Sequence, residues 1–84
     1  MGRAKRWRPK RLASKLAQIR TGLGLSQTEL IGALGLKGKI IREEVSQFER
    51  GLREPPLPVL LRYARLIGSP IDVIVDDKLD LPRT

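Results

Sequence analysis

Cysteine and histidine are both missing from the 84-residue chain. The lack of cysteine excludes disulfides and thiolate metal sites, and it is compatible with a reducing cytoplasm. The lack of histidine removes the commonest general base and the commonest zinc ligand. Ser14 and Ser69 have no second residue that would complete a nucleophile–base pair. We therefore predict a protein that uses no metal or cofactor and is not an enzyme.

Aromatic side chains are almost as scarce, since Trp7, Phe48 and Tyr63 are the only three. The core must therefore be aliphatic. The basic residues near the N-terminus would suit structured RNA, but the scarcity of aromatic side chains argues against base-stacking platforms for RNA. No apolar run approaches the ~18 residues of a membrane span, and no apolar signal-peptide segment follows the N-terminal charges. Residues 1–11 carry few apolar anchors besides Trp7, which disfavours binding to a membrane surface. We expect a cytoplasmic protein.

Acidic residues are absent from the first twenty positions, which hold eight basic ones. Residues 21–84 hold nine basic and nine acidic residues, so the whole net charge of +8 arises near the N-terminus. A basic segment of this kind suits a polyanion such as nucleic acid, although a solubilising tail has the same composition. We predict a flexible basic arm over residues 1–10, with Arg6, Arg8 and Lys10 as its candidate contacts to a polyanion.

The length predicts one domain, and the apolar pattern predicts short helices with short connections. Pro9 suits the first turn of the first helix, and Gly22 and Gly24 are expected to end it. The apolar stripe of this helix has spacings of four, three and four residues and consists of Leu12, Leu16, Ile19 and Leu23.

A second helix is predicted to begin at Ser26, because Glu29 three residues later completes a capping box. Gly35 ends this helix, residues 35–40 form a turn, and a third helix covers residues 41–50. The residues expected to face the core are Leu30, Ala33 and Leu34 in the second helix and Ile41, Val45 and Phe48 in the third.

A fourth helix is predicted over residues 58–67, followed by Gly68 and a short fifth helix with Ser69 as its cap and Pro70 at its first position. The β-branched residues near position 75 leave a strand open as an alternative. The sequence predicts an all-α, five-helix domain over residues 11–75, with residues 76–84 as a C-terminal tail. The fourth helix is expected to bury Leu60, Leu61, Ala64 and Ile67.

A capped helix, a glycine turn and a second short helix form a helix-turn-helix, in which the second helix enters the major groove of DNA. Arginine, glutamine and glutamate can recognise base edges there. The polar residues of the third helix are therefore predicted to face bases and phosphates: Arg42, Glu43, Gln47 and Arg50.

Four segments, "IRTGLGLSQTEL", "VSQFERG", "REPPLPVLLRYARLIG" and "SPIDVI", resemble the Xre family of phage Cro and repressor DNA-binding domains, over residues 12–74. The resemblance implies a five-helix, repressor-like fold. It also implies that Gln27 touches DNA and that Arg20 and Glu49 form a partly buried ion pair. The complete set of predicted DNA-binding residues is Gln27, Thr28, Lys37, Lys39, Arg42, Glu43, Gln47, Arg50 and Arg53, with Arg6, Arg8 and Lys10 from the arm.

One departure from the family pattern is an insertion of about four residues between Gly35 and Val45. Four residues are close to one helical turn, so the insertion lengthens either the turn or the third helix. It leaves the roles of Lys37, Lys39 and Arg42 open, whereas Gln47 lies beyond it.

The sequence thus predicts a regulator that binds double-stranded operator DNA, most simply a repressor. An antitoxin that represses its own promoter and also binds a toxin protein is the alternative. A homodimer is expected, with residues 71–81 as its interface and three aspartates either at the rim or facing Lys78 and Arg83 across the axis. Otherwise, residues 71–81 cover the core of their own domain. The three aspartates are Asp76, Asp77 and Asp80.

Overall fold

The computed structural model describes residues 8–82, and helices are their only extended regular structure. The prediction of an all-α, five-helix domain is confirmed. An isolated β-bridge between Lys37 and Ile40 is the one β-type pairing in this range, so the strand considered near residue 75 is not formed. The helices are α1 (Leu12–Gly22), α2 (Gln27–Ala33), α3 (Arg42–Glu49), α4 (Leu57–Ile67) and α5 (Asp72–Val75).

A single aliphatic core joins all five helices, with Phe48 and Tyr63 as its aromatic members. Helix α3 packs against both α1 and α2, and α5 packs against α1. Burying each large aliphatic side chain stabilises the fold by roughly 1.5–3 kcal/mol. The fully enclosed aliphatic residues come from four different helices and are Leu16, Leu30, Val45 and Ile74.

Helix α1 begins later than predicted and ends at Gly22, as expected. Its N-cap is Arg11, so Pro9 lies before the first turn rather than in it. Leu12, Leu16 and Ile19 are buried as expected, but Leu23 is 44% exposed. The helix ends at Gly22, and Leu23 is the C-cap residue just beyond the buried stripe.

The predicted capping box at the start of α2 is confirmed. The Ser26 hydroxyl accepts a hydrogen bond from the Glu29 amide at 3.0 Å, and the Glu29 carboxylate accepts one from the Ser26 amide at 2.8 Å. Burial of Leu30 and Leu34 is also confirmed. The prediction for Ala33 is wrong, because the helix is rotated so that Ile31 occupies the core and Ala33 faces solvent.

The inserted residues lengthen the turn between α2 and α3 rather than α3 itself. The Lys39 amide donates to the Leu36 carbonyl at 2.9 Å, and Gly38 has a φ of +83° that glycine adopts without steric cost. Helix α3 begins only at Arg42, and Ile41 precedes it with extended backbone. Ile41 is 59% exposed, so its predicted core position is wrong, because it lies outside the helix.

Helix α4 has nearly the predicted bounds but a rotated buried face, whereas α5 begins later than predicted. Leu60 and Ala64 are buried in α4, but Leu61 is 40% exposed and Ile67 is only partly buried. Val59 and Tyr63 fill those core positions instead, because the buried stripe of α4 is rotated by about one residue. Ser69 does not cap α5, which begins at Asp72 after Ile71, and Pro70 lies outside the helix.

The described part of the C-terminal tail, residues 76–82, folds back on the start of α1. The Asp77 carboxylate accepts hydrogen bonds from the Lys10 and Arg11 amides at 2.8 and 2.9 Å. These bonds hold the pKa of Asp77 below its ordinary value. Asp80 pairs with the Arg11 guanidinium at 2.7 Å. The Asp76 carboxylate accepts from the Lys78 amide at 2.9 Å, so all three aspartates expected near a symmetry axis are engaged within their own chain.

Lys15 is a buried cation that the sequence pattern did not predict. Only 1% of it is exposed, and its Nζ donates to the carbonyls of Val73, Asp76 and Leu79 at 2.7–2.8 Å. Burial lowers the pKa of Lys15, and the nearby Arg11 adds to this effect. Because three ammonium hydrogens meet three carbonyls near the end of α5, Lys15 caps that helix and fixes the tail to α1.

Candidate nucleic-acid interface

Helix α3 presents one continuous polar face to solvent. Val45 and Phe48 are 0% and 1% exposed and fix the opposite side of the helix in the core. With 3.6 residues per turn, the positions pointing away from these two are Glu43 and Arg50, with Ser46 and Gln47 beside them. Five residues form what we call the outward face of α3: Arg42, Glu43, Ser46, Gln47 and Arg50.

A bidentate ion pair connects α3 to α1. Arg20 Nε lies 2.7 Å from Glu49 Oε2, and Arg20 Nη2 lies 2.9 Å from Glu49 Oε1. Arg20 also donates to the Leu25 carbonyl at 3.0 Å, and this bond connects the turn before α2 to the ion pair. The hydrogen bond with Glu49 raises the pKa of Arg20 and outweighs the opposing effect of burial. The ion pair implied by the family resemblance is present, and it fixes the orientation of α3.

Gln27, the first residue of α2, lies beside this ion pair. Its side-chain amide is 3.4 Å from Glu49 Oε1, which is a long and weak hydrogen bond. Thr28 follows it and is exposed. The start of α2 and the side of α3 are thus brought together, as a helix-turn-helix requires.

Tyr63 of α4 lies behind the ion pair with no exposed surface. Burial raises the pKa of its phenol, and the negative charge of Glu49 adds to the increase. The phenol therefore stays neutral at physiological pH. Its hydroxyl finds no hydrogen-bond partner among the described residues.

The predicted cationic contacts lie around α3 and differ in whether they form an ion pair within the chain. Lys37 and Lys39 lie exposed in the lengthened turn before the helix, Arg42 is exposed at its start, and Arg50 is exposed at its C-cap. Arg53 follows the helix and pairs with Glu44 at 3.2 Å.

Glu44 and Ser46 are two residues of α3 that sequence reasoning missed. The Glu44 carboxylate accepts from the Ile41 amide at 3.1 Å, so it caps α3 while it also positions Arg53. Ser46 lies on the outward face between the predicted contacts. The helical period itself could have indicated Ser46, because it is one turn from both Arg42 and Arg50.

The base of the predicted arm contacts the loop after α3. Arg8 Nε lies 3.4 Å from Glu54 Oε2, and the backbone of Lys10 donates to Asp77. Arg8 and Lys10 border a cleft of about 220 Å³ whose other wall includes Arg53. Arg6, the remaining predicted contact of the arm, lies outside the described residues.

Neither a metal site nor a membrane span is found in residues 8–82. No group of three or more acidic side chains in this range is arranged to hold a metal ion. None of the described helices is long and apolar enough to cross a membrane.

A capped α2, a turn with two glycines and an α3 with a polar outward face define a helix-turn-helix DNA-binding domain. The helix-turn-helix family HTH_3 matches residues 16–74, more than two thirds of the chain. The protein belongs to this family, which comprises the Xre, Cro and repressor-type domains. The family consists of DNA-binding transcription regulators and is not enzymatic. No curated protein and no solved structure matches the chain.

Proposed function

We propose that the protein is a repressor that recognises an operator sequence by placing the outward face of α3 in the major groove. The observation that carries this proposal is the fixed orientation of α3. Val45 and Phe48 are buried on one side, and Arg20 and Glu49 hold the helix laterally. A rigid support of this kind holds base-contacting side chains in one geometry.

The chemistry of the outward face suits base recognition. Glutamine can bond adenine with two hydrogen bonds, arginine can bond guanine in the same way, and glutamate can accept from cytosine. Gln47, Arg50 and Glu43 are our candidates for these roles, with Arg42 at the start of the helix. Lys37, Lys39 and Arg53 would bond phosphates, with Gln27 and Thr28 at the start of α2. From their position and residue type, we propose these DNA-contacting residues: Gln27, Thr28, Lys37, Lys39, Arg42, Glu43, Gln47, Arg50 and Arg53.

We further propose that the protein binds as a homodimer. One α3 can contact only a few base pairs, which gives too little discrimination against a genome of competing sites. Two-fold dimers bind half-sites ~34 Å apart along the DNA. Residues 71–81 stay the predicted interface, although much of this segment covers its own core and Leu79 is its one large apolar side chain with substantial exposure.

An antitoxin that represses its own promoter would use the same DNA-binding step and differ only in holding a toxin protein. A regulator that binds operator DNA acts in the compartment that contains the DNA, which supports the expectation of a cytoplasmic protein.

The experiment is selection of bound sequences from random duplex DNA, followed by reporter transcription from a promoter that overlaps the selected site. We expect a palindromic consensus and reduced transcription when the protein is present. Enrichment of no sequence would contradict operator binding, and increased transcription would contradict repression. Recovery of a single, non-palindromic half-site would contradict the dimer alone.

A further inference from the structure

A basic cleft lies between the start of the chain and the loop that follows α3. Arg8 and Lys10 border it on one side and Arg53 on the other, while Glu54 is its one acidic lining residue. Leu12, Ala13 and Phe48 contribute apolar lining to the same cleft, whose volume is about 220 Å³. We call it the arm–loop cleft. Its charge suits an anion.

The position of the cleft relative to α3 is fixed by the backbone. The Gly51 amide donates to the Phe48 carbonyl at 3.3 Å, and the Leu52 amide donates to the Gln47 carbonyl at 2.9 Å. Gly51 itself lines the cleft, and a Cβ atom there would lie 3.7 Å from the Cβ of Ala13 in α1. The cleft therefore opens at the C-terminal end of α3, just past Arg50.

The arginines of the cleft are held by weak, replaceable partners. The Arg8–Glu54 pair is 3.4 Å long and the Arg53–Glu44 pair 3.2 Å, and both arginine side chains are more than half exposed. Exposed ion pairs contribute little, whereas arginine bonds a phosphate strongly through two parallel N–H groups. A phosphate at the mouth of the cleft could thus take over either guanidinium.

We propose that the arm–loop cleft binds the DNA backbone at phosphates lying beyond the bases that the C-terminal end of α3 contacts. The proposal rests on the proposed operator binding and specifies a further contact for it. It does not follow from family membership, because Arg8 and Lys10 precede residue 16, where the family match begins.

The decisive comparison is between the two members of the Arg8–Glu54 pair. If the pair serves only to fasten the start of the chain, Arg8→Gln and Glu54→Gln should weaken DNA binding alike or not at all. If Arg8 exchanges Glu54 for a phosphate, Arg8→Gln removes a DNA contact, whereas Glu54→Gln removes a competitor. The two substitutions should then change affinity for DNA in opposite directions.

The experiment measures affinity for the selected operator over a range of salt concentrations, with phosphate-ethylation interference on the same DNA. Arg8→Gln and Arg53→Gln should each reduce the slope of log K against log salt by about 0.9, because each loses one phosphate contact. Glu54→Gln should bind more tightly than wild type. Arg65→Gln, an exposed arginine on α4, is the matched control and should leave the slope unchanged.

Ethylation interference should disappear in Arg8→Gln at phosphates outside the bases protected by α3, while the selected consensus stays the same. Phosphate binding by the arm–loop cleft would be contradicted by an unchanged slope and interference pattern in Arg8→Gln. A loss of affinity in Glu54→Gln would contradict it as well. If wild type showed no preferred sequence, the proposed function would fail instead. Melting temperatures of all four variants, expected to stay close to wild type, separate contact loss from unfolding.

Discussion

Replacing Lys15 by methionine should destabilise the domain more than any surface substitution. Methionine has a similar length and flexibility but cannot donate a hydrogen bond. The carbonyls of Val73, Asp76 and Leu79 would each lose a bond of 2.7–2.8 Å from a charged donor. The tail would then lose its central attachment to α1.

The magnitude follows from two opposing effects. Hydrogen bonds to charged groups are worth roughly 1.5–3 kcal/mol each, so three bonds set an upper limit of about 5–9 kcal/mol. Burying the ammonium, of which only 1% is exposed, costs several kcal/mol, and methionine avoids this cost. Partial exposure of the freed carbonyls to water reduces the loss further. We therefore expect a net loss of about 2–4 kcal/mol.

A loss of this size is a large part of the ~5–15 kcal/mol that stabilises a typical small protein. At about 4–8 °C per kcal/mol for a domain of this length, the melting temperature should fall by about 10–30 °C. Circular dichroism during thermal and urea unfolding measures the change, and Lys78→Met provides an exposed lysine control on the same tail. If Lys15→Met and Lys78→Met unfold within ~0.5 kcal/mol of each other, the three bonds do not stabilise the tail.

The remaining predictions concern the ion pair, acid stability and assembly. Arg20→Ala should cost about 3 kcal/mol, and a double-mutant cycle with Glu49→Ala should give a coupling above ~1 kcal/mol; additivity would exclude the pair. Asp77 has a lowered pKa in the folded state, so its charged carboxylate stabilises the fold above its unfolded pKa of about 3.9. This contribution to stability disappears as the pH falls through the folded pKa, and Asp77→Asn should flatten that part of the stability–pH curve. In sedimentation with operator DNA, Leu79→Glu should impair dimers and Leu57→Glu, on another exposed leucine, should not; the reverse result would move the interface to α4.

The tail also determines how the dimer can be tested. Removing residues 72–84 would delete the carbonyls that satisfy Lys15 and the carboxylate that bonds the start of α1. Such a truncated chain would lose stability whether or not the segment forms an interface. A point substitution at Leu79 leaves the backbone carbonyl that Lys15 bonds in place, and it is the more selective perturbation.

Local signals in the sequence predicted the number and order of the helices well. The Ser26–Glu29 capping box and the glycines after α2 and α4 depend on interactions within a few residues, which sequence spacing reports directly. Gly35 and Gly68 have φ values of +73° and +66°, so they end the helices as expected. The Arg20–Glu49 pair came from the family resemblance, since its members are 29 residues apart.

Burial at the helix edges was harder to predict. Leu23, Ile41 and Leu61 are apolar and were expected in the core, yet each is at least 40% exposed. A displacement of one residue rotates a helical position by 100°, which is enough to turn a side chain from the core to solvent. An apolar pattern predicts that a helix has a buried stripe more reliably than it predicts which residues lie at the edges of that stripe.

Lys15 could not have been predicted from periodicity, because a lysine beside an apolar stripe usually extends into solvent. Its burial depends on carbonyls from a segment about 60 residues later in the chain.

The turn between α2 and α3 could be predicted only in part. Its length was visible in the sequence, but only the backbone hydrogen bonds after Leu36 show that the added residues stay outside α3.

The central claim is that the outward face of α3 recognises bases, and the most direct measurement is the specificity of Gln47→Ala. Affinities for the selected operator and for random duplex DNA should be compared at one salt concentration, with Gln18→Ala on the exposed side of α1 as control. We predict that Gln47→Ala loses about 1–3 kcal/mol on the operator, loses little on random DNA and accepts other bases at one position. Equal losses on both DNAs would contradict base recognition by α3 at this residue and assign Gln47 to the backbone.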